Sequence, residues 1–166
     1  YVEEIKENCW NTSAIYGDIN YENIIFKKLF SAKDCVHSIN NTDKEFAGTQ
    51  SGARIFNFDD NHVLLSIGDF RSRHLAQNKD SVNGKIIKIN IHTKNFEIIS
   101  MGHRNPQGLY FDKDKNFIIE TEHGPKGGDE INIIEVDKIN KNKILNYGWA
   151  IVSDGEHYTK TKKKYE

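Results

Sequence analysis

The stretch RIFNFDDNHVLLSIGD, residues 54–69, consists of two short apolar runs joined by an Asp-rich turn. The same pattern returns as GLYFDKDKNFIIETEHG at residues 108–124. Phe58 and Phe111 hold equivalent places in the two units, which gives a period of about 53 residues. A strand-turn-strand unit that repeats at this spacing is typical of β-propeller blades, whose innermost strands line one axial channel.

Strand signals dominate the rest of the chain, and no window keeps the apolar spacing of an amphipathic helix. Short β-branched or aromatic runs, each bounded by Asn, Asp, Gly or Lys, occur at residues 14–16, 24–26, 63–67, 85–89, 96–99, 117–119 and 131–134. The sequence therefore predicts an all-β fold. At about 50 residues per blade the chain holds about three blades, whereas a closed propeller has roughly four to eight.

The chain begins at Tyr1 without a Met, and it stops shortly after a turn-like segment. We therefore expect residues 1–166 to form one partial β-propeller domain that is truncated at both ends. The resulting arc would leave strand edges open, which is a route to aggregation.

Composition limits the class of protein. Of the 166 residues, 28% are charged and 37% are hydrophobic, and the formal net charge is −1. A chain so close to neutral has no global field that recruits nucleic acid or an anionic membrane. No apolar run approaches the roughly 20 residues that a membrane-spanning helix needs.

Cys9 and Cys35 lie in neighbouring strand-like segments. In an oxidising compartment a disulfide between them would close a loop of about 26 residues, worth about 3 kcal/mol in the chain-entropy model. Two buried free thiols are the alternative, and the sequence leaves both open.

Two polar clusters flank the second hairpin, at residues 103–107 and 122–125. A hairpin folds its two ends towards each other, so both clusters can face one spot. Arg104 offers a planar fork of donors, and Asn105 and Gln107 offer amides, which suits a flat, anionic, oxygen-rich ligand. Ordinary turn chemistry is the alternative explanation for such residues.

The second cluster continues into a glycine-rich turn. Gly124-Pro125 is followed by Gly127-Gly128 and then by the carboxylates of residues 129–130. A tight turn with free backbone carbonyls next to carboxylates supplies the hard oxygen ligands that calcium prefers. Together the two clusters predict a cofactor site.

At these residues the chain resembles the glucose/sorbosone dehydrogenase family, the soluble pyrroloquinoline-quinone-dependent aldose sugar dehydrogenases. The matching segments are SGARIFNF (51–58), LLSIGDF (64–70), NGKIIKIN (83–90), GHRNPQGLYF (102–111), ETEHGPKGGDEINII (120–134) and NYGWAIVSDGEHY (146–158). The resemblance implies a six-bladed β-propeller that is periplasmic or secreted in a bacterium. It also implies the cofactors pyrroloquinoline quinone and calcium, and oxidation of the C1 hydroxyl of an aldose with hydride transfer to the quinone.

The resemblance assigns roles residue by residue. It implies contacts to the quinone from Arg104, Asn105, Gln107 and Tyr158. It implies that the calcium bound to the quinone takes the backbone carbonyls of Gly124 and Pro125, and that a further calcium uses Glu130 and Tyr147. Core packing remains the alternative role for Tyr147.

One position departs from the family pattern. The family's general base is a His four residues before the Arg of a His-x-Ser-Gly-x-Arg pattern. Here Arg54 is that Arg, so Gln50 occupies the base position. Asp69 matches the Asp that supports this His. A neutral amide cannot accept the proton of a sugar hydroxyl, and loss of a positioned base costs on the order of 10² to 10⁴ in rate.

Three explanations of Gln50 stay open. The chain is an altered copy of an enzyme, or it is a non-catalytic, calcium-stabilised propeller that binds sugar or protein. In the third, another residue such as Asp69 or His103 supplies the base. Whether this chain is an enzyme is therefore open on sequence alone.

Overall fold

The computed structural model describes residues 1–139 and 143–158. Two short 3₁₀ helices, Arg73–Gln77 and Val136–Lys138, are the only helices among these residues. The strands in chain order are β1 (Val2–Lys6), β2 (Cys9–Ile19), β3 (Ile24–Ser31), β4 (Val36–His37), β5 (Gly52–Asp59), β6 (His62–Ile67), β7 (Lys85–Asn90), β8 (Phe96–Met101), β9 (Pro106–Asp112), β10 (Phe117–Glu122), β11 (Glu130–Glu135) and β12 (Leu145–Asn146). Every predicted strand segment lies within one of these strands, so the all-β prediction is confirmed.

The strands form three sheets that follow one another along the chain. The first has the order β1–β2–β3, with the short β4 paired to β2. The second is the antiparallel meander β5–β6–β7–β8, to which β12 adds in parallel beside β8. The third is the antiparallel sheet β9–β10–β11. This succession agrees with the predicted three blades.

The repeat seen in the sequence is also a repeat in space. β5 with β6 and β9 with β10 form equivalent antiparallel hairpins. The rings of Phe58 and Phe111, which hold matching places in the two units, stack with centroids 4.5 Å apart. Both turns begin with an Asp whose Oδ1 accepts a backbone N–H, from Asn61 at 2.8 Å and from Lys115 at 3.0 Å.

The core lies between the sheets, and the middle sheet is buried on both faces. Successive side chains of a strand point to opposite faces. Leu65 and Ile87 therefore pack against the first sheet, whereas Leu64 and Ile86 pack against the third. Burial of each such side chain contributes about 1.5–3 kcal/mol, so the three sheets are held together by two apolar interfaces.

A disulfide joins Cys9 and Cys35, whose Cα atoms are 5.3 Å apart. It links the start of β2 to the residue that precedes β4. The alternative of two buried free thiols is therefore wrong. No helix in the described ranges has the length and apolar character needed to cross a membrane.

Candidate functional site

The β9–β10 hairpin brings the two polar clusters together, because Glu122 at the end of β10 pairs with Pro106 at the start of β9. A pocket of about 470 Å³ opens there. Its described lining residues are Thr49, Gln50, Arg71, Arg104, Asn105, Gln107, His123, Gly124, Asp129 and Tyr158. Residues of both clusters therefore share one pocket, as the hairpin predicts.

Arg104 forms a largely buried wall of this pocket. Its Nη1 donates to the carbonyl of His123 over 2.7 Å. Its guanidinium carbon lies 5.5 Å from the centroid of the Trp149 ring and 5.7 Å from that of Tyr158. Burial lowers the pKa of Arg104, against the opposing charge of Asp69. The guanidinium is thus a fixed cation between two aromatic rings.

Gln50 bridges Arg104 and a buried carboxylate. In the amide orientation that satisfies both neighbours, Arg104 Nη2 donates to Gln50 Oε1 over 2.7 Å, and Gln50 Nε2 donates to Asp69 Oδ1 over 3.1 Å. Asp69 is fully buried and also accepts hydrogen bonds from the Arg71 N–H and from Trp149 Nε1, each at 2.8 Å. Burial raises the pKa of Asp69 to about 6, although these hydrogen bonds oppose the shift.

The amide side chains of Asn105 and Gln107 differ in their hydrogen bonds and in their exposure to solvent. Asn105 accepts the Gly52 N–H at 3.1 Å and donates to the carbonyl of Thr49 at 3.4 Å, so it ties β9 to the start of β5. Gln107 is exposed at the rim. Both residues line the pocket, yet only the Gln107 side chain projects from it into solvent.

Gly124 begins the turn that closes the pocket, and only glycine fits there. A Cβ at this position would lie 1.6 Å from the carbonyl oxygen of Gly128. The Gly124 N–H donates to Asp129 Oδ1 over 3.0 Å, and the carbonyl of Pro125 accepts the Gly128 N–H at 2.8 Å. The turn therefore gathers backbone carbonyls and one carboxylate beside the pocket.

Glu130 and Tyr147 are not among the described residues that line this pocket. Glu130 Oε2 accepts a hydrogen bond from Asn132 Nδ2 over 3.2 Å. Tyr147 donates its hydroxyl to the carbonyl of Ile133 over 2.7 Å, and its ring stacks on His103 with centroids 5.1 Å apart. Burial raises the pKa of Tyr147 to about 12. The ring thus has the packing role that the sequence left open.

A buried ionic cluster lies next to Tyr147. His103, Glu120 and Glu122 each offer one ligand-type atom, and these atoms lie within 4.8 Å of one another. His103 Nε2 is 2.8 Å from Ser100 Oγ, and Nδ1 is 3.3 Å from Glu122 Oε1. Burial alone would lower the pKa of His103, but Glu122 and Glu120 raise it overall. His103 is fully buried, so it is not placed to take a proton from a ligand in the pocket.

Sequence reasoning missed several of these residues. Thr49 and Arg71 line the pocket without having been predicted, and Glu120 was not recognised as a member of the cluster. A signal existed for Glu120, because it stands two residues before Glu122 and so shares its face of β10. For Arg71 the hint in the sequence was its position two residues after Asp69.

Comparison with known proteins decides the family. The sequence profile of the glucose / sorbosone dehydrogenase family matches residues 26–166. The chain belongs to this family. Aldose sugar dehydrogenase YliI of Escherichia coli (strain K12) is 30% identical over 125 residues, a match that covers 68% of this chain and 32% of that protein. The resemblance proposed from the motifs is therefore confirmed.

Solved structures agree on the fold. The apo form of the soluble aldose sugar dehydrogenase from Escherichia coli matches with a TM-score of 0.73 and 26% identity, covering 95% of this chain and 46% of that one. The PQQ-bound form of aldose sugar dehydrogenase from Streptomyces coelicolor matches with a TM-score of 0.51 and 28% identity, covering 61% and 30%. This chain of the glucose / sorbosone dehydrogenase family thus spans less than half the length of these relatives.

Proposed function

We propose that this chain provides part of the cofactor site of a pyrroloquinoline-quinone-dependent aldose sugar dehydrogenase. The observation that carries the proposal is the fixed guanidinium of Arg104 on the wall of a pocket that Asn105, Gln107 and Tyr158 also line. The relative from Streptomyces coelicolor whose structure contains the quinone supports this choice of cofactor. The substrate would be a small aldose.

The donor set in the pocket fits this cofactor. Pyrroloquinoline quinone is a flat ring system with several carboxylates, and when bound it supplies the acceptor for a hydride from C1 of the sugar. Arg104 would neutralise a carboxylate through a charge-assisted hydrogen bond, because its contacts to His123 and Gln50 use only two of its five donors. The Tyr158 ring offers a flat apolar surface at the same pocket.

The glycine-rich turn fits calcium. Gly124, Pro125 and Asp129 present carbonyl and carboxylate oxygens within one compact turn, and such hard oxygen ligands are the ones that calcium prefers. A cation held there would stabilise negative charge on a ligand bound beside Arg104. We assign a further calcium to Glu130 and Tyr147 on the strength of the family pattern, at a position separate from the pocket.

Proton removal is the step of the reaction that this site supports least. When C1 loses its hydrogen with the electron pair, the C1 hydroxyl must lose its proton to a base. Gln50 occupies that position and is neutral, and Asp69 behind it is fully buried. We therefore expect slow turnover, below that of an enzyme with a positioned base by on the order of 10² to 10⁴.

Dye-linked aldose oxidation by the full-length protein, reconstituted with quinone and calcium, tests the proposal. Gln50→His should raise the rate by about 10² or more, because the carboxylate of Asp69 lies within reach to orient an imidazole. Absorbance of the bound quinone is recorded in both proteins. If both hold the cofactor and neither oxidises an aldose, the catalytic proposal is wrong.

The second candidate is a calcium-stabilised propeller that binds sugar or protein without turnover. The pairing of Gln50 with both Arg104 and Asp69 favours it, since this closed network leaves no ionisable group facing the ligand at the base position. This candidate predicts stabilisation by calcium without a quinone spectrum. It also predicts that Arg104→Ala leaves ligand binding unchanged.

We also propose that residues 1–166 are part of one larger propeller domain in an oxidising compartment, periplasmic or extracellular. β11, at the edge of the third sheet, exposes Ile131 and Ile133 at 75% and 57%, surfaces that a further blade would cover. The Cys9–Cys35 disulfide supports the compartment, because structural disulfides are rare in a reducing cytosol.

A further inference from the structure

Glu122 makes contacts that no role assigned so far explains. Its residue is 5% exposed, and its Oε2 accepts the backbone N–H of Arg104 and, at 3.2 Å, that of Asn105. Its Oε1 faces His103 Nδ1 and Asn132 Nδ2, each at 3.3 Å. One buried carboxylate thus binds the main chain of two consecutive residues that line the pocket.

These two N–H groups need a partner other than the backbone carbonyls of the strand ladder. Arg104 and Asn105 precede β9, which begins at Pro106, so they lie outside the strand ladder. Gly102, two residues earlier, has φ of +77°, where the chain turns sharply. A buried N–H without a partner is costly, and hydrogen bonds to a carboxylate are stronger than those between neutral groups. Glu122 therefore fixes the path of the main chain here.

We propose that Glu122 is a positioning residue for the cofactor site, acting through the backbone of Arg104 and Asn105. This inference rests on the proposed function only for the identity of the ligand. The side chain of Arg104 is held by His123 and Gln50, whereas its main chain is held by Glu122. A shift of that main chain moves the guanidinium relative to any carboxylate in the pocket.

A neutral amide is a poorer partner here than this carboxylate. Glutamine at position 122 could accept the two N–H groups only through its single carbonyl oxygen, and without the negative charge. Its NH₂ group would then face His103 Nδ1 and the donor Nδ2 of Asn132, and two donors would meet. The amide therefore keeps the shape of Glu122, but it weakens both backbone hydrogen bonds through loss of the charge and sets a donor against a donor at its other end.

Glu120 provides a matched control. It lies on the same face of β10, is fully buried, and its Oε2 lies 3.6 Å from the same His103 Nδ1 and 3.0 Å from the same Asn132 Nδ2. Among the hydrogen bonds of the described residues, none joins it to the backbone of Arg104 or Asn105. Glu120→Gln therefore alters the same ionic cluster without touching the pocket's main chain.

The test compares Glu122→Gln with Glu120→Gln in the full-length protein. The first readout is amide hydrogen exchange at Arg104 and Asn105, which needs no cofactor. We expect exchange at these two amides to accelerate at least tenfold in Glu122→Gln and to stay within about twofold in Glu120→Gln. Equal effects of the two variants, or no acceleration in Glu122→Gln, would overturn the inference.

The second readout is the dissociation constant of pyrroloquinoline quinone, measured by absorbance titration. We expect Glu122→Gln to weaken binding by about tenfold or more and Glu120→Gln to leave it within about twofold. If the unaltered protein binds no quinone while the exchange pattern holds, the proposed function fails and the positioning role stands. Should Glu122→Gln not fold, Glu122→Asp keeps the charge beside His103 but shortens its reach, and the same two amides must then exchange faster.

Discussion

Trp149 Nε1 donates to Oδ2 of Asp69 over 2.8 Å, across a sequence separation of 80 residues. Asp69 lies two residues after β6, and Trp149 follows β12, so this bond fastens a late segment of the chain to the buried carboxylate beside Gln50. The same Trp ring lies 5.5 Å from the guanidinium carbon of Arg104. Cation, carboxylate and indole therefore form one buried unit.

The buried carboxylate of this unit predicts a pH dependence of stability. Burial raises the pKa of Asp69 from 3.8 to about 6. Because the folded state holds this proton more tightly than the unfolded state, its contribution to the free energy of unfolding is full below about pH 4 and is lost as the pH rises through about 6. The stability advantage of the full-length protein over Asp69→Asn should therefore fall by about 3 kcal/mol as the pH rises through this window. Denaturant unfolding of both proteins measures this difference in the free energy of unfolding. A difference that stays constant with pH would contradict the prediction.

Replacement of the fixed guanidinium tests the ligand contact. Arg104→Lys keeps one positive charge but loses the planar fork, so we expect affinity for pyrroloquinoline quinone to fall by about tenfold to a hundredfold. Isothermal titration measures the change. Lys113→Ala, at an exposed turn position, is the control and should leave affinity unaltered. Equal affinities for Arg104→Lys and the unaltered protein would remove Arg104 from the site.

Two glycines of one turn provide a matched pair for the calcium assignment. Gly124→Ala places a methyl group 1.6 Å from the carbonyl oxygen of Gly128, so the turn must open. Gly127→Ala meets nothing within 4 Å, although its φ of +77° costs about 1–2 kcal/mol. We expect added calcium to raise the melting temperature of Gly127→Ala by more than that of Gly124→Ala, in which only the further calcium proposed at Glu130 and Tyr147 remains. An equal calcium response in both variants would remove the ion from the turn at Gly124.

Removal of the disulfide tests its contribution to stability. It closes a loop with a sequence separation of 26 residues, for which the chain-entropy model gives about 3 kcal/mol. We expect the double variant Cys9→Ser, Cys35→Ser to unfold at a correspondingly lower urea concentration. A reducing agent should bring the unaltered protein to the same midpoint and leave the double variant where it was. If neither the double substitution nor the reducing agent lowers the urea midpoint, the disulfide contributes nothing to stability.

The sequence predicted most of the fold, because long strands carry their own signal. β6 (HVLLSI) and β7 (KIIKIN) are rich in aliphatic residues, and the hairpin of β9 and β10 repeats that of β5 and β6. β4 and β12 have only two residues each and exist through their partners β2 and β8. Such elements have no local pattern that a sequence could reveal.

The site was predictable where its residues are neighbours in the chain. Arg104 and Gly124 stand at the two ends of one hairpin, so their convergence follows from the hairpin alone. Arg71 lies in a turn that follows β6 of a different sheet, and its own φ is +66°. The contact of Glu122 with the N–H of Arg104 depends on how a turn folds over a strand, which residue types do not specify.

The middle sheet, apolar on both faces, has a consequence for synthesis of the protein. A nascent chain presents β5 to β8 while the first sheet is already available to shield one side, whereas the side that carries Leu64 and Ile86 stays bare until β9 to β11 leave the ribosome. During that interval an aliphatic surface is open to other nascent chains. Slowing translation just before the codon for Pro106 should therefore lengthen the exposure and lower the soluble yield.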